Sequence, residues 1–399
     1  MRAIALFLLL GLAGSPIGAA AAPAAVELNL TGDHYWAVLA SRQDADQAIA
    51  AAQNNRASKA MVVRAANGWF AAVSGPYLVK PNTGRQFLDS LIKEHNAPKD
   101  VYLTKGSGFT DVTWTAPATN ILAGVQYDGV RDVSLHKDDL DIKLTKRPGD
   151  DNMSVAVAIG VYKGKPAFKM EIADKPASAV SLVRLDPKSP LPQVVFTYFW
   201  QGAHCCTVTK IASLNSDGVW NVVDGGALDG DGGYAFEDLD NAGFSYLLSI
   251  DQSFLYTFDS YAGSAAPMRI QQLANGALVD VTKDSKHQRR LLQGLNSEEI
   301  YATEEDSWQS NGFLAGWVAS SMLVGRGDAA WAKMLASYDH ASDFGPEKCT
   351  IKVAIDKCPD DKKLKLAFPF ALKQFLSEQG YVGDGSHLQV PYEVEPTAK

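Results

Sequence analysis

The sequence predicts an α+β protein: an N-terminal α/β unit, a β-rich antiparallel region, and C-terminal helices packed on that region. Three observations carry this. Residues 33–105 run through one short strand–helix–strand pattern twice. Between 151 and 300, strand-like runs follow one another through turn residues with no helical pattern between them. Beyond 301, apolar residues return at helical spacing. A doubled β-α-β pattern gives a sheet covered by two helices, whereas consecutive short strands give an antiparallel sandwich or propeller.

Taken in order, the first segment reads as an export signal over residues 1–22. Arg2 supplies its positive charge, Ile4–Leu12 its apolar stretch and Gly18–Ala22 the small residues that signal peptidase accepts. That stretch is shorter than the ~20 residues a membrane helix needs. The expectation is an exported chain that is not an integral membrane protein.

Residues 35–41, Tyr-Trp-Ala-Val-Leu-Ala-Ser, form the first strand, and Ala45, Ala48, Ile49 and Ala52 share the face of a following helix. Ala60–Ala65 is the second strand and Gly68–Tyr77 the third. A helix with Phe87, Leu88, Leu91 and Ile92 on one face comes next, and Asp100–Thr104 closes the unit. The β-α-β-β-α-β order, a ferredoxin-like sheet with two helices, leaves one sheet face open.

The order, the length over residues 33–105 and the Gly75-Pro76-Tyr77 ending of the third strand resemble the SPOR domain. That bacterial envelope module binds peptidoglycan glycan strands stripped of their stem peptides. The resemblance implies a ligand on the open face, with Trp36, Trp69 and Tyr77 as stacking aromatics and Ser41, Arg64 and Ser74 as polar contacts. It would place Gln in the first strand and Arg in the third, where this chain has Val38 and Ala71. The expected partner is therefore a peptidoglycan glycan or a periplasmic protein.

Residues 106–150, rich in Gly, Pro and polar residues, read as a linker or loosely organised edge. In the β-rich region, strands are expected at Ser154–Tyr162, Val194–Trp200, Thr207–Leu214, Val219–Val223 and Tyr246–Ile250. Phe254–Phe258, Met268–Leu273 and Leu278–Val281 complete the set. In the helical part, residues 301–385, Phe313, Trp317 and Met322 form one stripe, and Trp331, Met334, Leu335 and Tyr338 another. Pro369 and Gly380 bracket a last helix bearing Leu372, Phe375 and Leu376. The tail beyond His387 is expected to fray.

The formal charge of −8 offers no electrostatic footprint for nucleic acid, and Lys and Arg never gather into a block suited to an anionic membrane. Four cysteines in an oxidising compartment point to disulfides. Cys349 and Cys358 flank a short loop and suit a local bridge. Cys205 and Cys206 are adjacent and leave three options: a bridge to each other, buried thiols, or pairing with the other two.

The Asp-rich turns containing Asp229, Asp231, Asp238 and Asp240 resemble calcium-binding loops, which makes calcium the one candidate cofactor. Solvated β-turns account for the same Asp-Gly content; Ala242 stands at the fifth position of the second loop, and Ser249 at its twelfth, where an EF-hand needs Glu. His204-Cys205-Cys206 has metal-ligand residue types, but consecutive strand residues point to opposite faces. Nucleophile elbows, zinc-protease helices and phosphate loops are absent from the sequence.

Beyond the SPOR-like unit, the aromatic-Trp-Gln-Gly-Ala-His-Cys-Cys segment ending at Cys206 and the Asp238-Leu-Asp240 segment resemble uncharacterised bacterial periplasmic proteins. The expectation is an exported, non-catalytic binding or scaffolding protein. Two readings compete with it. One is a cell-wall or peptide hydrolase using Asp229, Asp238 or Asp240 with His204. The other is a lysozyme or protease inhibitor presenting the 349–358 loop.

Overall fold

Both faces of the N-terminal sheet are buried, although its sequence pattern suggests one open face. This computed structural model describes residues 26–54, 60–95, 97–149, 154–172, 177–199, 205–229, 233–304, 306–383 and 388–390. The expected export segment, residues 1–22, together with Asp231, His204 and the tail from 391 onward, lies outside them.

The unit contains β1 (His34–Arg42), α1 (Ala45–Asn54), β2 (Met61–Ala65), β3 (Phe70–Leu78), α2 (Gly84–His95) and β4 (Tyr102–Thr104). A further strand, β5 (Phe109–Thr115), pairs with the outer edge of β2, giving the order β4-β1-β3-β2-β5. On the helix side, Ala37, Leu39, Val62 and Ala72 pack against Ala48, Ile49 and Leu91. On the other side Trp36, Val38, Met61, Val63, Ala71 and Val73 form a second core, covered by Leu28, Leu30 and Phe109. Trp-Ala-Val-Leu in β1 is apolar at successive positions rather than alternate ones, the pattern of a strand buried on both faces.

Most of residues 106–149, expected as a linker or loosely organised edge, lie in ordered strands, and β5 takes up one edge of the N-terminal sheet. Besides β5 they include β6 (Ile121–Asp128), β7 (Val133–Lys137) and β8 (Leu140–Pro148). In β8, Leu140, Ile142 and Leu144 are buried and alternate with exposed Asp141 and Lys143. The period-2 signal is present there; the Asp138-Asp139 turn next to it obscures it.

Two antiparallel sheets enclose the main β core. One has the order β10-β9-β8-β7, with β9 (Ser154–Tyr162) and β10 (Lys165–Ile172). The other runs β14-β13-β12-β11-β6, with β11 (Ala177–Val183), β12 (Gln193–Phe199), β13 (Thr207–Leu214) and β14 (Trp220–Leu228). Ile142, Leu144 and Met170 from the first sheet meet Val180, Leu182 and Phe196 from the second, so this part is a sandwich rather than a propeller.

A third sheet, β15 (Ala235–Glu237), β16 (Tyr246–Ile250), β17 (Met268–Ala274) and β18 (Ala277–Asp280), lies on the far face of the second. Val195 and Ile211 pack there against Leu247 and Leu273. Asn275 and Gly276, both at positive φ, close the β17–β18 hairpin.

The opposite face of the third sheet meets α3 (Gln288–Glu304) through Tyr246, Leu248, Ile270 and Leu291. The helical part therefore starts before residue 301, inside the span expected to be β-rich. It continues as α4 (Asn311–Leu323), α5 (Gly327–Ser337) and α6 (Phe368–Glu378). Phe254 and Phe258 do not form a strand. A 3-10 turn and its following bends point both rings into the helical core beside Phe313 and Leu372. Their spacing of four residues brings both to one side of a turn, as on a helix.

Cys349 and Cys358 are bridged, with Cα atoms 5.8 Å apart, beside the small hairpin of β19 (Glu347–Cys349) and β20 (Lys363–Lys365). Cys205 and Cys206 are bridged to each other. No helix among the described residues is long and apolar enough to cross a membrane.

Candidate functional site: a cleft between the N-terminal unit and the C-terminal helices

Helix α3 carries a carboxylate on its core-facing stripe. Leu291, Leu295 and Ala302 are buried, and Glu298 stands three residues after Leu295 and four before Ala302, on the same face. Glu298 Oε1 accepts a hydrogen bond from Ser320 Oγ of α4 at 2.9 Å. Its Oε2 is closed off from solvent and has no hydrogen-bond partner among the described residues. Burial pushes the Glu298 carboxyl up to about 8; the Ser320 bond opposes this and the nearby Glu299 charge adds to it. Near neutral pH the group is therefore mainly the protonated acid.

Glu298 lines a cleft of about 1320 Å³ between the N-terminal unit and the helices. Small-molecule pockets commonly enclose ~300–1,000 Å³, so this one has room for an extended ligand. The N-terminal unit contributes Ser41, Arg42, Lys99, Asp100 and Tyr102. The other wall is built from Tyr261, Glu298, Tyr301, Glu304 and Ser307. Tyr102 and Tyr301 are both about half exposed, at 52% and 53%.

Two devices shape these walls. Across the junction, Gln53 Nε2 of α1 donates to Gln293 Oε1 of α3 at 3.1 Å, holding the two helices together. On the other wall, the loop around 259–266 lies directly on α4 because Gly312 and Gly316 leave room for it. A Cβ on Gly316 would sit 2.3 Å from Ala265 O, and one on Gly312 would sit 2.6 Å from Gly263 O. Ser310 caps α4, its Oγ accepting from Phe313 N at 3.1 Å and meeting Asp259 Oδ2 at 2.9 Å.

Helix α3 is also tied to the third sheet. Arg290 Nε and Nη2 donate to the two carboxylate oxygens of Glu237 at 2.7 and 2.9 Å, a bidentate pair shielded from solvent. Next to it, Lys286 Nζ reaches Tyr246 Oη at 2.7 Å and Asp240 Oδ2 at 3.1 Å. His287 is buried edge-on to the Tyr246 ring, and burial lowers its pKa.

The six residues expected on the open sheet face separate into three groups. Trp36 is 1% exposed and its indole N–H donates to Leu28 O at 2.9 Å, so it belongs to a core. Ser74 is buried and accepts from Tyr77 Oη at 3.1 Å, while the Tyr77 ring packs on Phe87 of α2. Ser41, Arg64 and Trp69 remain exposed at one end of the sheet, where Arg42 and Arg64 both register with Phe70. Of the six, Ser41 lines the cleft. Val38 and Ala71 are both buried in the core that covers the expected ligand face.

The described Asp residues of the acidic turns are held by local partners. Asp238 accepts from Ala242 N, Gly243 N and Asn120 Nδ2, and so is used in holding its own turn. Asp240 is engaged by Tyr246 and Lys286, and Asp229 by Tyr256. Among the described residues no group of three or more His, Cys, Asp or Glu is placed to hold a metal ion. The expected calcium site is not assembled from Asp229, Asp238 and Asp240, whose partners are local turns and side chains.

Glu298 is the residue that the sequence reading missed. Its signal was a carboxylate inside the Leu291–Leu295–Ala302 periodicity, hidden because α3 was divided between two expected regions.

Comparison with known proteins gives two relatives without an assigned activity. The chain is 32% identical over 369 residues to the uncharacterized protein y4bJ of Sinorhizobium fredii (strain NBRC 101917 / NGR234), covering 90% of this chain and 58% of the relative. It is 36% identical over 227 residues to the probable thylakoid lumen protein sll0997 of Synechocystis sp. (strain ATCC 27184 / PCC 6803 / Kazusa), covering 55% of this chain and 66% of the relative. The chain thus spans less than two thirds of either relative's length. No solved structure matches it. Residues 287–380, which hold Glu298, Ser320 and the Cys349–Cys358 bridge, match the family described as the sll0997 C-terminal domain.

Proposed function

We propose that this protein is an exported, non-catalytic binding protein of the cell envelope, and that its ligand is a glycan held in the cleft between the N-terminal unit and α3. The observation that carries this reading is the cleft itself. It has half-exposed tyrosine rings on both walls, hydroxyl groups beside them and one buried carboxyl without a second partner among the described residues. Sugars lay their apolar ring faces on aromatic side chains and offer hydroxyls to polar groups, so such a wall suits them. The SPOR-like reading of residues 33–105 supports an envelope glycan, with the contact moved from the buried sheet face to the cleft. Export is supported by the apolar leader, by the Cys349–Cys358 bridge and by a relative whose name places it in the thylakoid lumen.

Co-sedimentation of the full chain with amidase-treated sacculi tests this. Wild type is expected to pellet with the sacculi, and Tyr102→Ala with Tyr301→Ala to remain in the supernatant. Equal pelleting of both proteins would remove the cleft from the account.

A second reading, an inhibitor of a lysozyme or protease, has one observation in its favour. Ile351, Val353 and Ile355 project from the loop closed by Cys349 and Cys358, each more than two-fifths exposed. Exposed aliphatic side chains on a constrained loop suit insertion into an enzyme's cleft. Inhibition of lysozyme or a serine protease that disappears on reduction would establish it.

A further inference from the structure

The loop closed by Cys349 and Cys358 combines features that a solvated turn does not need. Every residue from Thr350 to Lys357 is exposed, and three of them are aliphatic: Ile351, Val353 and Ile355, at 45%, 43% and 45% exposure. Single exposed apolar side chains are ordinary on a protein surface. Three within five positions of one bridged loop hold apolar area in water where polar residues would serve a turn as well.

Lysines stand between and beside them. Lys348, Lys352 and Lys357 form no ion pair among the described residues, whereas on the returning arm Lys362 meets Asp361 at 3.2 Å and Lys363 meets Asp360 at 2.8 Å. From 348 to 357 the loop carries three lysines and one acid, Asp356, which is +2 in a chain of −8. In sequence these lysines are four and five residues apart and form no block. The bridge, with Cα atoms 5.8 Å apart, folds the segment back and gathers them within one short loop.

The backbone of the loop is closed on itself. Thr350 N donates to Lys362 O at 2.9 Å, Val353 N to Ile351 O at 2.8 Å and Lys357 N to Ala354 O at 2.9 Å. A protein partner that pairs its main chain with an extended segment needs such groups free. An apolar phase needs the reverse, since an unsatisfied N–H is costly there.

We propose that this loop is a membrane-surface anchor: Ile351, Val353 and Ile355 enter the boundary between headgroups and acyl chains of an anionic lipid bilayer, and Lys348, Lys352 and Lys357 lie against its negative headgroups. Charge decides the occupant. A basic loop on an acidic chain is drawn to an anionic surface while the rest of the molecule is repelled, so the loop arrives first. A few apolar side chains or a few lysines alone hold a protein weakly; together they give reversible attachment. No residue from 349 to 358 lines the cleft, so the anchor is separate from the glycan site.

Flotation of the exported chain, its expected leader 1–22 removed, tests this. The vesicles are phosphatidylcholine alone and phosphatidylcholine with about one-third phosphatidylglycerol, at about 0.05 M and about 0.5 M NaCl. At low salt wild type should bind the anionic vesicles at least ~10-fold more tightly than the neutral ones, and high salt should remove that advantage. Lys348→Gln, Lys352→Gln and Lys357→Gln combined should abolish the preference. Ile351→Ser, Val353→Ser and Ile355→Ser combined should weaken binding to anionic vesicles at least ~10-fold. All six side chains are exposed, so both variants should keep the circular dichroism and thermal midpoint of wild type. Tyr102→Ala with Tyr301→Ala should float like wild type, which keeps this result apart from the fate of the cleft reading. The anchor is overturned if wild type floats with neither vesicle or if the serine variant floats like wild type. Inhibition of a lysozyme or a serine protease through this loop, without vesicle binding, would overturn it equally.

Discussion

Ser320 Oγ donates to Glu298 Oε1 at 2.9 Å, and the other carboxylate oxygen is closed off from solvent with no partner among the described residues. This one-sided satisfaction separates Glu298 from two neighbouring carboxylates, Glu237 and Asp238. Glu237 holds Arg290 with both oxygens, and Asp238 is bound to its own turn.

The raised Glu298 carboxyl makes stability depend on pH in a fixed direction. Unfolded, the group titrates near ~4.3; folded, it titrates at about 8. Between those values the folded protein holds a proton that the unfolded chain has released. Stability is therefore full below the unfolded value, falls as pH rises through the interval and levels off above the folded value. The total is on the order of a few kcal/mol. Denaturant midpoints at pH 5, 7 and 9 should fall progressively for wild type, and this part of the decline should vanish in Glu298→Gln.

Gly316→Ala should open the cleft wall. The new Cβ would lie 2.3 Å from Ala265 O, so the loop on α4 must move or the helix must shift. Overpacking of this kind costs ~1–3 kcal/mol. Thermal unfolding should report the loss, and ligand affinity should fall with it because Tyr261 and Ser264 of that loop line the cleft.

Arg290→Met should loosen α3 from the third sheet. The Arg290–Glu237 pair is bidentate and shielded, and cutting it leaves the Glu237 carboxylate without its counter-ion. A loss of roughly 1–3 kcal/mol is expected, since a hydrogen-bonded, charged group is left unmatched. The double variant Arg290→Met with Glu237→Leu should recover part of it, as measured by urea unfolding.

Trp36 and Trp69 should behave oppositely. Trp36→Phe removes the bond to Leu28 O and thins the core under residues 28–30, costing ~1–2 kcal/mol. Trp69, 41% exposed in the turn before β3, should tolerate Ala within ~0.5 kcal/mol. Urea midpoints of the two variants decide the comparison.

The strand and helix order of residues 35–104 was legible because each element there carries a clean period and is bounded by turn residues. The C-terminal stripes through Phe313, Trp317 and Trp331 were legible for the same reason. The second core under the N-terminal sheet was not. Leu28, Leu30 and Phe109, which close it, are single apolar residues outside the doubled pattern, and only tertiary contact shows what they cover. Strands β5–β8 were hidden by flanking Asp, Gly and Pro, and Phe254 and Phe258 were read with a strand's period instead of a turn's. The cleft was the least legible feature. It joins residues such as Tyr102 and Tyr301, far apart in the chain, and its central carboxyl shows only as an exception within an apolar stripe.

The location of the ligand is the central claim, and hydrogen-exchange mass spectrometry with and without a soluble peptidoglycan glycan tests it most directly. The account predicts slowed exchange in the segments holding Ser41 and Arg42, Lys99 to Tyr102, and Ser297 to Glu304, with no change around Leu28 and Phe109. Protection centred on residues 28–38 and 109, with the α3 segment unchanged, would contradict it.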